Sequence, residues 1–170
     1  MVVVFISPRK DCAGCMLEKI SELERKAKTK IPLFEKILLA ETGIVEQTLS
    51  ILINSKIEVR ILKQKETDLS IEREVSVNNK KTGEKLMHAK SMIFTNSLPY
   101  EIINQIKSKD RSIGSIITDF KLETFRKILE IGHNSKRGIF FRTYHITHNG
   151  EVAFEISENF IIKRKVIVTY

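Results

Sequence analysis

The chain predicts an α+β fold, with helices flanking an antiparallel sheet of five to seven strands. Three observations carry this. Apolar residues recur at helical spacing between residues 14 and 54. The pattern then changes to alternation from residue 57. Asn149-Gly150, the strongest short hairpin signal, stands between two alternating runs near the C-terminus.

The elements follow in order. "VVVFI" opens as a strand, and residues 14–28 form an amphipathic helix with Cys15, Leu17, Ile20 and Leu23 among its apolar positions. "KIPLFEKILLAETG" reads as a second helix, with Pro32 in its first turn and Gly43 closing it. "IVEQTLSILIN" reads as a third. "KIEVRILKQKE" alternates as a strand, and "SIEREVSVNNKKTGEKLMHAKSMIF" is a long hairpin turning at "NNKKTGE". "YEIINQIKS" is a helix after Pro99, and "SIGSIITDFKLETFRKILEIG" reads as a helical pair ending at Gly132. "KRGIFFRTYHITHNGEVAFEISENFI" is the second hairpin, and "RKVIVTY" adds a last strand.

At 170 residues, the chain is long enough for one domain with a full core. Its 42% hydrophobic and 29% charged residues belong to an ordinary soluble protein. Its apolar runs are too short to cross a bilayer, and no signal peptide opens it, so the expected location is cytoplasmic. The formal charge of +8 invites a nucleic-acid reading. The basic residues are scattered, however, and aromatics make up only 7%. The expected partner is a small anionic molecule, with no nucleic acid and no membrane.

Cys12-x-x-Cys15 after a strand and before a helix resembles the start of a thioredoxin-like unit. None of Pro8, Pro32 and Pro99 can face the cysteines as a cis-proline. The following segments also lack a βαβ crossover. The pair reads as a structural dithiol or disulfide. Two cysteines do not make a zinc site, and His145 and His148, three apart on a strand, face opposite ways. No metal and no cofactor are expected.

Alternation places charges in apolar rows. Ile71, Arg73, Val75 and Val77 share a face, as do Leu86, His88, Lys90, Met92 and Phe94. Phe140, Arg142, Tyr144 and Ile146 share another. Val152, Phe154, Ile156, Glu158 and Phe160 share a fourth, while Glu155 stands among polar neighbours. An isolated buried charge is very costly. These charges therefore pair as core ions, snorkel from edge strands, or line a pocket where cations hold carboxylates and one carboxylate does proton chemistry.

"FEKILLAETGIVEQTL", "REVSVNNKKTGEKLMHAKSMIF", "SIGSII" and "NGEVAFEISENFI" stand in the order of chorismate pyruvate-lyases. Over residues 30 to 160 the chain resembles the divergent prokaryotic branch of that family. The carrying motifs are Arg73-Glu74, Ile113-Gly114, and Ser157-Glu158 with Phe160. The resemblance implies an antiparallel sheet whose helices close over a buried ligand site. It divides the single domain 1–170 into an N-terminal extension, 1–30, and a lyase-like core, 31–170. It implies cofactor-free cleavage of chorismate to 4-hydroxybenzoate and pyruvate. Arg73 would bind a carboxylate, Glu158 would contact the ligand, and Ile44, Ile113 and Gly114 would lie along it. Lys90 or Arg142 would hold the second carboxylate. The stretch from Gly150 to Glu158 is one residue longer than in familiar members. The same fold serves as the effector domain of GntR-type repressors, so the alternative is a non-catalytic domain that binds an aromatic acid.

Overall fold

The computed structural model describes residues 1–6 and 13–162. Seven strands form one antiparallel sheet in the order β1-β5-β6-β7-β4-β3-β2. They are β1 (Val2–Phe5), β2 (Ile57–Glu66), β3 (Ser70–Asn79), β4 (Lys85–Phe94), β5 (Phe125–Asn134), β6 (Ile139–His148) and β7 (Glu151–Phe160). Five helices accompany them: α1 (Ala13–Ala27), α2 (Leu33–Ala40), α3 (Val45–Leu52), α4 (Tyr100–Lys107) and α5 (Ile113–Asp119). The expected α+β class holds. The expected last strand, "RKVIVTY", lies outside the described residues.

The helices and the inward rows of the sheet share one hydrophobic core, from Leu23 and Leu38 to Ile131, Phe154 and Phe160. Burial of such side chains is the main stabilising term. β1 pairs with β5, and α1 packs against both, so the N-terminal segment closes one end of the sheet. Gly132 sits there between Val3 and Phe141. A Cβ at Gly132 would stand 2.2 Å from the Phe141 ring and 2.7 Å from the Val2 carbonyl oxygen. Only glycine lets the ring lie across the strand.

Phe125–Asn134 corrects the sequence reading, because this half of the expected helical pair is strand β5. Its register shifts between Ile128 and Glu130, so Leu129 is an extra residue. Ile128 and Ile131 therefore both face the core, opposite Tyr144 and Arg142. A bulge thus reproduces the i, i+3 spacing of a helix face. β7 shifts likewise: Phe154 pairs with Ile146, but Val152 pairs with Thr147. This takes up one residue after the Asn149-Gly150 turn and moves Val152 out of the row assigned to it, while Phe154, Ile156, Glu158 and Phe160 stay inward.

Candidate active site

Three of the charges in apolar rows are buried where alternation put them. Arg73 is 2% exposed, Arg142 1% and Glu158 2%. The register sets their neighbours. Arg142 lies opposite Glu158 on β6 and β7, and Ala89 of β4 lies on the other side of Glu158. Arg73 of β3 lies opposite Ser91 of β4. The two small β4 residues, Ala89 and Ser91, leave room between Arg73 and Glu158. A cavity of about 50 Å³ occupies that room, roofed by α3, α5 and the turn before α5.

Lys90 is a correction. It is exposed and pairs across the sheet with Glu74 and Ser157, beside a hollow on the opposite face that also touches Lys63 and Lys65. Both rows of β4 are similarly apolar, so alternation alone chose the wrong one. The inward row is Met87, Ala89, Ser91 and Ile93. Glu155 faces the open side with His145, at 2.9 Å.

Each oxygen of Glu158 accepts one hydrogen bond. Arg142 Nε donates to its Oε2 at 2.7 Å, and the Tyr144 hydroxyl donates to its Oε1 at 2.9 Å. Arg142 also donates to the Glu41 carbonyl oxygen, and its guanidinium lies 4.9 Å from the Tyr144 ring centre. Arg142 thus holds Glu158 from behind and does not itself line the cavity. Burial, then the Glu158 charge, pushes the Tyr144 hydroxyl well above its usual range, so Tyr144 stays a donor.

Arg73 has no carboxylate partner within ion-pair distance among the described residues. Its Nε donates to Gln64 Oε1 at 2.8 Å and one terminal nitrogen to the Arg111 carbonyl oxygen at 2.9 Å. The other terminal nitrogen donates to the Ile106 carbonyl oxygen. Burial lowers the guanidinium to about 10, against a smaller opposing effect of Glu66, so it is charged at neutral pH. A guanidinium has five N–H groups, so one remains on each terminal nitrogen. That leftover pair suits a carboxylate.

Ile113 and Gly114 line the cavity. Ile44 caps the start of α3 and lines a shallower groove with Thr42 and Phe125, while its neighbours Gly43 and Val45 line the cavity itself. Sequence reading missed three lining or supporting residues: Glu46, Arg126 and Gln64. Glu46 projects from the first turn of α3, with both carboxylate oxygens 3.1 Å from where a Cβ on Gly114 would be. Gly114 therefore makes room for it. Burial, then the Glu158 charge, raises its pKa, against hydrogen bonds and Arg126. Gln64 and Arg126 both sit on bulged strands, where face cannot be counted from sequence.

Residues 38–166 match the family model described as Chorismate pyruvate-lyase Rv2949c-like. The chain belongs to this family. It is also 32% identical over 152 residues to a Methanocaldococcus jannaschii protein named "Putative lyase MJ0807", covering 78% of this chain and 80% of that protein. The family match spans the sheet from β2 to β7 and takes in Arg73, Glu158 and Gly114, while β1 and α1 precede it. No helix among the described residues is long and apolar enough to cross a membrane. Cys15 is disulfide-bonded, and Cys12 lies outside the described residues.

Proposed function

We propose that this chain converts chorismate to 4-hydroxybenzoate and pyruvate, without a cofactor, in the cavity between Arg73 and Glu158. One observation carries the reading. An arginine with an unused N–H pair and a fixed carboxylate face one cavity, separated by β4. Two interstrand spacings of about 4.8 Å put roughly 10 Å between their backbones. A ring with a carboxylate at one end and a hydroxyl at the other fits such a pair.

Arg73 takes the ring carboxylate, and Glu158 accepts from the ring hydroxyl. Arg142 and Tyr144 both donate to Glu158, which fixes its oxygens as hydrogen-bond acceptors toward the ring hydroxyl. The hydrogen on the hydroxyl-bearing ring carbon leaves as a proton. Its electron pair forms a ring double bond, and the neighbouring ether carbon–oxygen bond breaks with its electrons on oxygen. A proton returned to the enolpyruvate yields pyruvate, so the net reaction consumes none. Aromatisation supplies the driving force, and the protein supplies orientation and charge placement in a site shielded from water.

The test is to incubate the purified protein with chorismate, without added metal or nucleotide, and follow both products. Equimolar 4-hydroxybenzoate and pyruvate, lost in Glu158→Gln, are expected. Chorismate that binds and is recovered unchanged would instead assign a binding domain.

A further inference from the structure

Chorismate carries two carboxylates, and Arg73 accounts for one. Neither cation first considered for the other serves. Lys90 points away on the open face of the sheet. Arg142 is held behind Glu158 and against the Glu41 carbonyl, and it does not line the cavity.

Arg126 remains. It stands on β5 opposite Ile146, on the same face as Tyr144, and it lines the cavity. One terminal nitrogen donates to the Thr42 carbonyl oxygen at 2.9 Å. Its Nε is buried and has no hydrogen-bond partner. No ion pair involves it among the described residues. A buried guanidinium N–H without an acceptor is rare, and it calls for a ligand or an explanation. Glu41 and Glu46 feel its charge but lie beyond ion-pair distance. Glu41 is already bound by the Gly43 amide and the Thr48 hydroxyl. Arg126 thus brings a vacant donor to the wall of a cavity that holds no free carboxylate for it except Glu46.

We propose that Arg126 is the second anion anchor of this site, binding the carboxylate of the enolpyruvyl group. The inference rests on the lyase reading and adds a division of labour to it. Arg73 holds the carboxylate that stays with the ring. Arg126 holds the carboxylate that departs with pyruvate. The ether bond that breaks lies between two fixed anions, so the leaving half is steered while the ring is held. The product 4-hydroxybenzoate carries only the first carboxylate and makes no contact with Arg126. Arg126 then separates substrate from product, which Arg73 and Glu158 cannot do. Glu46 beside it fits the same corner: burial there favours the neutral acid over a second anion.

The experiment compares Arg126→Gln and Arg126→Lys with Arg73→Gln. Two readouts are used: kcat/KM for chorismate (or its Kd, if the native chain binds without turnover) and the Kd of 4-hydroxybenzoate. Removing one member of a buried charged contact costs roughly thirtyfold or more in affinity. Arg126→Gln should lose at least that for chorismate, mostly in KM, and keep the native Kd for 4-hydroxybenzoate within about twofold. Arg126→Lys should recover part of the loss. Arg73→Gln should weaken both ligands. Retained product binding also shows that the Arg126 variants are folded. Equal losses for chorismate and product in Arg126→Gln, or chorismate handling within threefold of native, would overturn the inference and leave the lyase reading standing. A native chain that neither converts nor binds chorismate would overturn both.

Discussion

A buried Arg142–Glu158 pair is a weak source of stability, because desolvation of both ions offsets their attraction. Its presence in the middle of an apolar face is better explained by use than by packing. Alternation found it because Glu158 and Arg142 lie on regular stretches of β6 and β7, opposite one another. Glu46 could not be found that way. It lies on α3, where a glutamate in the first turn is ordinary, and only the packing of α3 against Gly114 buries it. Its raised pKa has a consequence for stability. A group raised in the folded state contributes fully below the ordinary carboxylate value and loses that contribution as pH rises through the folded value. The groups facing it are Ser112 and Gly114 at α5, Arg126 on β5 and Glu158 on β7. Glu46→Gln should therefore melt like the native chain near pH 4 and above it near pH 7 to 8. Each unit of separation is worth about 1.4 kcal/mol. Melting curves across that range decide it, and a gap that narrows as pH rises would show that Glu46 is not held against ionisation.

At the level of elements, the hairpins and the first three helices were legible because period, turn residues and length agreed. β5 was not. The bulge at Leu129 gives it the spacing of a helix, and nothing local reveals that Gly132 and Phe141 are partners across strands. The same kind of shift, between Ile61 and Lys63 on β2, turns Gln64 inward beside Arg73. Bulges thus placed side chains that alternation could not. Gly132 offers a direct check on the β5 assignment. Gly132→Ala puts a methyl against the Phe141 ring and the Val2 carbonyl oxygen at once. The ring can turn, but the backbone oxygen belongs to a paired strand. Overpacking of this kind costs about 1–3 kcal/mol. Denaturant unfolding should show that loss, and Phe141→Leu in the same chain should recover only part of it. A neutral Gly132→Ala would mean that β1 does not pair so closely with β5.

For the whole molecule, the decisive quantity is the volume of the cavity. About 50 Å³ holds a few waters, whereas small-molecule sites start near roughly 300 Å³. Chorismate cannot enter without a rearrangement. The sheet cannot supply it, because β3, β4, β6 and β7 are tied by long ladders whose register shifts lie only toward their ends, at Val77/Asn78 and Ile146/Thr147. The roof can: α3 and α5 are 8 and 7 residues long. Arg73 fastens the last turn of α4 and the turn before α5 through the carbonyls of Ile106 and Arg111. Binding should then be limited by opening of this roof and fall far below the diffusional ceiling of about 10⁸–10⁹ M⁻¹s⁻¹ for a small ligand. The net charge of +8 adds attraction for a dianion, which alone would make association fast. A slow rate that barely responds to salt would thus identify gating, since steering is screened within about 10 Å at 0.1 M salt. Stopped-flow binding of 4-hydroxybenzoate at several salt concentrations measures both. Hydrogen exchange locates the motion: amides of residues 100–122 should be among the fastest of the described secondary structure in the free protein and should slow once product binds. Rapid, strongly salt-dependent association with unchanged exchange over 100–122 would mean that ligand enters by another route.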